Sequence, residues 1–574
     1  MSRRDVASRL WLNALLFVCC CAAPPPEVPP ADLIVTHAVI YTGDSDQPWA
    51  EAMAVRNGRL VHVGAADGVR GLKGHKTKLL DAGGRLVLPA FHDSHVHPVS
   101  AGVEIGLCDL NGAATVPEIL ERIATYAKSH PEVSWILGGG WEMPLFPEGN
   151  PGRRMLDGVV ADRPVLLSSA DGHSSWANSK ALEVAGITRD TPDPSRGVIE
   201  REPGSQEPSG TLREEAVDLV RRHAPEATDE EMREGLKRAL AEMNRFGIVS
   251  FQEASASGHI LDAYLAAERD GWLTARVRVS LRFEPLQGEA QVPKLITWRS
   301  MCTGSLVSCD TVKIFVDGVI EARTAALLAP YLTPPGMTPP TAPTGIVNFK
   351  PAELNAIVTR LDKEGFQVHM HAIGDRAIRM GLDAVKAART VNGPRDARHH
   401  LAHIQLFHPA DIPRFAELGV VANFQPLWAY ADSYITDLTE PVLGPGRSRW
   451  LYPIRSWFDS GAVVAAGSDW SVSSVNPLDG IQVAVTRRGL EEPAGEAWLP
   501  EQVVDLPRIL SAYTAGGAFL NFEEDVSGSL TTGKYADFIV LDHNIFTIPA
   551  TEIHKTKVLM TMMAGRKVYR APEL

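Results

Sequence analysis

Histidine, aspartate and lysine residues follow several apolar segments of this sequence. Asp93-Ser-His95-Val-His97 comes directly after the apolar segment 86–91. Residues two apart on an extended strand project to the same side, so Asp93, His95 and His97 are expected to face one point. Two neutral imidazoles that converge are suitable ligands for a zinc-class metal ion. One such pair is weak evidence by itself, because surface pairs and hydrogen-bonded buried pairs are commoner.

Other ligand-type residues end further apolar segments. They are His371 in His369-Met-His371, His403, and Asp469 in Gly467-Ser-Asp469. Independent structural histidines would have no reason to collect at strand ends, so these positions favour a metal site. Lys313 has two interpretations: an ammonium paired with Asp317 or Asp469, or a lysine carboxylated by carbon dioxide that bridges two metals. The residues alone favour the ion pair.

The elements that must position these residues are short apolar segments alternating with helical patterns, which is typical of βα units. The candidate strands are 86–91, 248–252, 277–281, 312–316, 366–371, 399–403, 420–424 and 462–466. Gly247 and Gly365 end the predicted helices 230–246 and 351–364. Eight units predict an α/β TIM-type barrel, whose chemistry lies at the C-terminal ends of its strands. We expect the barrel at 89–524, with an insertion at about 105–228 that forms a lid or pocket wall.

Both ends of the chain carry strand-like segments separated by Gly and Asn turns. Residues 31–88 and 525–574 therefore predict one small β-sandwich domain built from the two ends. Cys302 and Cys309 are close enough in sequence to form a small disulfide loop in an oxidising compartment. Cys108 is expected to be a buried small hydrophobe.

The N-terminal residues predict export. Residues 1–23 combine Arg3-Arg4 with an apolar run too short to span a bilayer, which is typical of a signal peptide, and 24–30 is a proline-rich spacer. The arginine pair partly matches a twin-arginine signal, and one of the cysteines Cys19 to Cys21 would serve as a lipid anchor. Simple cleavage near Ala23 is the alternative. We expect a cell-envelope or periplasmic location, with or without a lipid tether to a membrane.

Composition narrows the class of partner. The 574 residues are 45% hydrophobic and 22% charged, as expected for a soluble protein with a large and a smaller domain. The formal net charge of −13 argues against nucleic acid, because phosphate binding needs basic patches. A small-molecule substrate is the expected partner, and a homo-oligomer is compatible with the sequence.

Taken together, these segments resemble the amidohydrolase superfamily, and most of all its YtcJ-like branch, amidohydrolase family 3, which includes N-substituted formamide deformylase. The matching motifs are Leu88-Pro-Ala-Phe-His-Asp-Ser-His-Val-His-Pro98, Val312-Lys-Ile-Phe-Val-Asp-Gly318, Val368-His-Met-His-Ala-Ile-Gly-Asp375, Gln425-Pro426, Gly467-Ser-Asp-Trp-Ser-Val472, Asp171-Gly-His173 and Gly528-Ser-Leu-Thr-Thr-Gly-Lys-Tyr-Ala-Asp537. The resemblance covers nearly everything from Ala31 onward. Its motifs are specific for the family and nearly silent on the substrate.

The resemblance implies one or two divalent metals, usually zinc, in the mouth of a distorted barrel. By position, His95, His97 and Asp469 would bind the first metal, His371 and His403 the second, and a carboxylated Lys313 would bridge them. His173, Asp317 and Gln425 are candidate substrate contacts, although a structural role suits His173 equally well. Ala402 stands where the family commonly has Glu, and this loss weakens the expectation of the second metal.

The implied activity is hydrolysis of a non-peptide carbon–nitrogen bond in an amide, formamide or cyclic amide. Metal-activated hydroxide would attack, and Asp469 would accept its proton and deliver it to the leaving nitrogen. Two alternatives stay open: a metal-dependent deaminase of a heterocycle, and a non-catalytic envelope lipoprotein that binds a small molecule. The complete set of ligand residues argues against the second alternative.

Overall fold

Eight parallel strands form the central sheet of the computed structural model, which describes residues 29–492 and 494–573. They are β1 (Phe91–Val96), β2 (Ile248–Ala256), β3 (Arg276–Arg282), β4 (Val307–Phe315), β5 (Gln367–Ala372), β6 (His400–His403), β7 (Val421–Phe424) and β8 (Val464–Ala466). Each strand pairs with the next in the order β8 to β1. After β8, the Asp469 N–H donates to His95 O at 2.7 Å, which brings the two edges together. The predicted distorted TIM-type barrel is confirmed.

The position of the first barrel strand differs from the prediction. The expected strand at 86–91 is wrong, because Leu86–Pro89 pairs with strands of the β-domain and β1 begins at Phe91. The apolar run crosses from one sheet to the other without a polar break. Strand β1 itself buries His92, Asp93, Ser94 and His95, so its sequence lacks the apolar pattern of a barrel strand.

Helices connect the barrel strands. Across the described residues their bounds are Pro98–Glu104, Val116–Ser129, Arg153–Asp157, Ser179–Ala185, Asp218–Arg221, Asp229–Arg245, Gly258–Arg269, Val292–Met301, Pro351–Lys363, Asp375–Asn392, Ile412–Leu418, Glu440–Leu443, Pro445–Ser448, Ile454–Asp459, Pro477–Thr486, Leu506–Ala512 and Ala515–Leu520. Helix Asp229–Arg245 begins with a capping box in which Thr228 and Glu231 bond each other's backbone N–H, a cap worth about 1 kcal/mol. None of the helices in the described part of the chain is long and apolar enough to cross a membrane.

The chain between β1 and helix Asp229–Arg245 folds around a mixed sheet of its own. Its six strands, in sheet order, are Gly197–Arg201, Pro208–Glu214, Ser174–Ala177, Val165–Ser169, Ile136–Trp141 and Cys108–Asp109. Trp141 and Trp176 are buried in this insertion, and Cys108 is a buried free thiol, as expected. The insertion covers the C-terminal ends of the barrel strands, where Asp171 and His173 line cavities beside Asp469.

Two further sheets combine both chain ends. One contains Arg59–Gly64, Ala52–Arg56, Leu33–Thr36 and Lys78–Asp81 in that order. The other contains Arg566–Arg570, Val558–Met563, Phe538–Leu541, Leu86–Pro89, Val39–Tyr41 and Trp49–Ala50. Val35, Met53, Phe538 and Met560 share one buried cluster between them. This is the small β-sandwich predicted from the two ends.

Cys302 and Cys309 are joined by a disulfide bond between helix Val292–Met301 and strand β4. The predicted signal peptide at 1–23 and most of the proline-rich spacer lie outside the described residues.

Candidate metal centre

The first group of ligand-type side chains lies where β1 and β8 meet. His95 belongs to β1, His97 follows it directly, and Asp469 lies just beyond β8. Asp469 Oδ1 is 3.4 Å from His95 Nε2 and 3.2 Å from His97 Nε2. The structure therefore brings together the three side chains expected to bind the first metal.

Asp93, which we expected to face the same point, instead fastens the β8 segment to β1. Its carboxylate accepts hydrogen bonds from the His95 N–H at 3.1 Å and from the Ser468 N–H and hydroxyl at 3.0 and 2.6 Å. A Cβ at position 467 would lie only 2.5 Å from His95 N, so this close approach requires Gly467. Asp93 positions the segment that carries Asp469.

His371 and His403 form the second group. Their ring centroids are 4.6 Å apart, and the His403 ring is also 4.6 Å from that of His95. The Nε2 atom of His371 is buried and has no hydrogen-bond partner among the described residues. A buried imidazole nitrogen without a partner is costly unless something binds it, and a metal ion is a suitable occupant.

Asp317 and Gln425 orient these two histidines. Asp317 Oδ1 is 3.2 Å from His371 Nδ1, and its oxygens also accept from the backbone N–H groups of Ala326, Ile373 and Gly374. Gln425 Oε1 lies 2.9 Å from His403 Nδ1. These contacts make both residues positioning groups for the two imidazoles, and their contact with a substrate stays a prediction.

Lys313 is fully buried on β4, with its Nζ 3.3 Å from His95 Nε2. Within the described residues it forms no ion pair with Asp317 or Asp469, the partners that the simpler interpretation required. Burial lowers the pKa of Lys313 to about 7. A large fraction of this amine is therefore neutral near pH 7, and the neutral amine is the form that reacts with carbon dioxide.

Burial also sets the protonation of the histidines. It lowers the pKa of His95 and of His371 well below the ordinary value, and that of His403 to about 3. Neutral imidazole is the form that binds metals. Burial acts in the same direction on His97, but hydrogen bonds to Asp469 and Glu253 outweigh it and raise the pKa to about 9. The carboxylates of Asp469 and Glu253 therefore favour a positive charge at the position of the His97 ring.

Backbone strain is concentrated at the same place. His403 and Asp469 adopt left-handed φ angles of 72° and 55°, a region that residues other than glycine rarely occupy. Such conformations persist only where surrounding contacts hold them, and they are common at functional sites. Here the contacts are Gln425 for His403, and Asp93 through Ser468 for Asp469.

Glu253 and Ser280 also support the centre, and neither was among the candidate residues named from the sequence. Glu253 Oε1 is 3.5 Å from His97 Nδ1, and its other oxygen accepts from the Tyr264 hydroxyl at 2.8 Å. His369 has its Nε2 2.9 Å from His95 Nδ1 and its Nδ1 3.0 Å from Ser280 Oγ. Glu253 follows the predicted strand 248–252, and its position at a strand end was the only available signal.

The donor set suits a metal ion. His95, His403 and Asp469 are buried, and each offers one ligand atom, all within 4.8 Å of one another. Nitrogen ligands together with a carboxylate oxygen are the set that zinc binds at catalytic sites. The unpartnered His371 Nε2 lies beside this group.

His173 brings the insertion to the centre. Its ring centroid is 5.1 Å from that of His371, and its Nδ1 is 3.0 Å from Glu214 Oε2. Burial lowers the pKa of His173, but the Glu214 charge and hydrogen bond raise it to about 9 overall. His173 lines three cavities of about 480, 700 and 800 Å³ that meet at this part of the barrel mouth. It therefore lines the space open to a substrate, and its contact with a substrate stays a prediction.

Comparison with known proteins identifies the class. Residues 78–569 match the amidohydrolase family, so the chain belongs to that family. It is 32% identical to Protein LONG AFTER FAR-RED 3 of Arabidopsis thaliana, covering 94% of this chain and 92% of the relative. It is 28% identical to the putative amidohydrolase YtcJ of Bacillus subtilis, over 92% and 98%. It is 27% identical to N-substituted formamide deformylase of Arthrobacter pascens, over 93% and 97%.

A solved structure shares the fold. An uncharacterised metal-dependent hydrolase from Pyrococcus horikoshii OT3 aligns with a TM-score of 0.69 at 24% identity, covering 90% of this chain and 99% of that one. The predicted family is thus confirmed, and the chain has the fold of a metal-dependent hydrolase.

Proposed function

We propose that the protein hydrolyses non-peptide carbon–nitrogen bonds in amides, formamides or cyclic amides. The observation that carries this proposal is the convergence of His95, His403 and Asp469, with His371 Nε2 unpartnered beside them. The similarity to a protein named N-substituted formamide deformylase supports the choice of bond.

The residues divide between binding and proton transfer. His95, His97 and Asp469 would hold one zinc ion, and His371 and His403 a second, with a carboxylated Lys313 between them. Zinc supplies a bound water whose pKa is lowered to about 7. Asp469 lies at the junction of these side chains, where it can accept a proton from the attacking water and release it to the leaving nitrogen.

Four side chains keep the metal-binding imidazoles oriented, because each contacts the Nδ1 atom of one ring. They are Asp317 at His371, Gln425 at His403, Glu253 at His97 and His369 at His95. Partners of this kind usually contribute about 10- to 100-fold in metal affinity or activity. The insertion lines the barrel mouth through Asp171 and His173.

Asp469→Asn tests this proposal. The variant keeps the shape of the side chain but loses the proton acceptor, so we expect a folded protein whose amine release from N-acyl amines falls by about 10³-fold or more. Asp383→Asn, which changes an exposed aspartate paired with Arg414, is the matched control and should retain activity. Appreciable turnover by Asp469→Asn would contradict the role of Asp469. Ammonia release from a nucleobase panel, without amine release from amides, would indicate the deaminase instead.

We also propose, from residues 1–30 alone, that the enzyme is exported to the cell envelope. In this proposal a lipidated cysteine among Cys19 to Cys21 tethers it, and its partner there is a small-molecule substrate. Metabolic labelling of the full chain with a fatty acid, compared with a variant in which all three cysteines are serine, checks the tether.

A further inference from the structure

One of the three cavities at the metal centre has an unusual charge. This cavity of about 480 Å³, here called the acidic cavity, is bordered by His371, His403 and Asp469 on one side. Four carboxylates line the rest: Glu142, Asp171, Glu321 and Asp432. No lysine or arginine is among the described residues that line it, whereas Arg282 reaches both of the other cavities.

The four carboxylates lack cationic partners. None of them forms an ion pair with a described residue, and their hydrogen bonds come from neutral donors. Glu321 accepts from Gln405 at 2.8 Å and Thr439 at 2.9 Å, and Asp432 accepts from the Ile435 N–H at 2.9 Å. Asp171 Oδ2 is buried and has no hydrogen-bond partner in the described part of the chain. His173 also lines the cavity, but Glu214 already offsets its charge.

Burial, and after it mutual repulsion, raise the pKa of three of these carboxylates. Burial raises the pKa of Glu142 and of Glu321, and the charge of Asp171 raises both further. Burial raises the pKa of Asp432 to about 6, with contributions from Glu321 and Glu142. Negative charge that is confined in a cleft attracts a cation, because no lysine or arginine among the described lining residues compensates it.

Tyr452 is a second and independent sign of a ligand. Its side chain is only 2% exposed, lines the acidic cavity, and has no hydrogen-bond partner for its hydroxyl among the described residues. The hydroxyl therefore faces the cavity unpaired by any described residue and is available to a polar ligand there. Burial, and then the charges of Glu321 and Asp432, raise its pKa well above the ordinary value.

The remaining wall decides which kind of cation fits. Trp428, Tyr430 and Tyr434 line the cavity together with Leu145 and Leu427. Mg²⁺ and Ca²⁺ prefer a complete shell of oxygen ligands and gain nothing from such a wall. Aromatic faces and aliphatic side chains instead suit an organic cation, whose charge meets the carboxylates and the rings while its carbon chain is buried.

We propose that the acidic cavity binds an alkylammonium or guanidinium group carried by the substrate, so that the preferred amides are cationic. The proposal rests on the proposed function for the identity of the reacting bond, but the cation site can be tested without turnover. The reacting amide lies at His95, His403 and Asp469, and the charged end extends towards Glu321 and Asp432.

Binding of hexylammonium to the metal-loaded full chain tests the site, because this probe has no bond to hydrolyse. By calorimetry it should bind at least about tenfold more tightly than hexan-1-ol, since one partly buried ion pair is worth that factor. The double variant Glu321→Gln with Asp432→Asn should abolish this preference. Glu226→Gln, which removes an exposed carboxylate from the neighbouring cavity of about 700 Å³, should leave it unchanged.

Tyr452→Phe provides a variant with little risk to folding, since the hydroxyl that it removes has no partner. It should weaken hexylammonium binding severalfold without lowering the melting temperature. Hexylammonium that binds no better than hexan-1-ol, or binds equally to the double variant, would overturn the proposal. Displacement by an equal concentration of Mg²⁺ would also overturn it, by showing an inorganic cation site.

Turnover separates this inference from the proposed function. The wild-type enzyme should hydrolyse N-(5-aminopentyl)acetamide with a kcat/KM about tenfold above that of its neutral analogue N-hexylacetamide. Equal kcat/KM values for the two amides would contradict the preference for cationic substrates and would leave the proposed hydrolysis supported. Tight hexylammonium binding by an enzyme that cleaves neither amide would keep the cation site and contradict the proposed hydrolysis.

Discussion

Replacement of Ser468 by alanine tests how the structure holds Asp469 in place. The Ser468 hydroxyl donates to the buried Asp93 carboxylate at 2.6 Å and accepts from the Trp470 N–H at 3.1 Å. Burial raises the pKa of Asp93 to about 7, and removal of the Ser468 hydroxyl leaves a buried Asp93 oxygen unsatisfied, which costs about 1–3 kcal/mol. Ser468→Ala should therefore lower the free energy of unfolding by about 2 kcal/mol.

The same bond fastens the β8 segment to β1, so its loss should also reach the metal centre. We expect metal affinity to fall by about 10- to 100-fold, the usual effect of removing a supporting group. The free energy of unfolding is measured by urea titration of the metal-free protein, and metal affinity by competition with a chromophoric chelator.

Ser474→Ala is the matched control, because Ser474 donates to Asp479 at 2.7 Å in a similar serine–carboxylate bond that is exposed. It should change stability by less than about 0.5 kcal/mol and leave metal affinity unaltered. Equal behaviour of the two variants in both assays would refute the argument that Asp93 and Ser468 position Asp469.

Two further predictions concern the interface between barrel and β-domain. Burial lowers the pKa of His92 to about 4. Below a pH of about 6.5 the unfolded chain therefore binds a proton at His92 that the folded chain does not bind. The neutral, buried His92 thus contributes its full stability above a pH of about 6.5, and the free energy of unfolding falls by up to about 3 kcal/mol as the pH drops towards about 4. The difference between the urea midpoints of unfolding at pH 7.5 and pH 5 should thus be smaller in His92→Gln than in the wild type. The exposed control His75→Gln should show the wild-type difference. An equal difference in all three proteins would contradict the burial argument. Arg276 is 7% exposed and bonds Glu523 at 2.9 Å and Asp537 at 2.6 Å, so Arg276→Met should cost about 3–5 kcal/mol by leaving two carboxylates unpaired. Arg245→Met, which breaks an exposed pair with Glu242, should cost less than about 1 kcal/mol in the same melts, and similar losses would refute the difference.

Much of the barrel could be predicted because its strands are apolar and β-branched. The patterns of Val277–Leu281 and Val312–Val316 predict buried strands, and Gly247 and Gly365 marked the helix ends before two other strands. Strand β1 could not be read in this way, since it buries His92, Asp93 and His95. Such a strand is stable only because residues distant in sequence form hydrogen bonds with its polar groups. The hydrophobic pattern of the strand does not indicate which residues these are.

The candidate site shows the same division. Residue type and position at strand ends indicated His95, His371, His403 and Asp469, because this architecture collects chemistry there. The pairing of Asp93 with Ser468, and of Glu253 with His97, depends on three-dimensional contacts between strands far apart in the chain. The four carboxylates of the acidic cavity were unrecognisable for the same reason: they come from the insertion and from loops after different strands.

The central claim is that these residues hold a metal on which activity depends. Metal content of the purified chain, measured by plasma mass spectrometry before and after chelation, tests it directly alongside amide hydrolysis. We expect one or two zinc ions per chain, loss of activity on their removal, and its return when zinc and bicarbonate are added. A folded protein that binds no transition metal and stays inactive after reloading, or one that hydrolyses amides equally well without metal, would contradict the account.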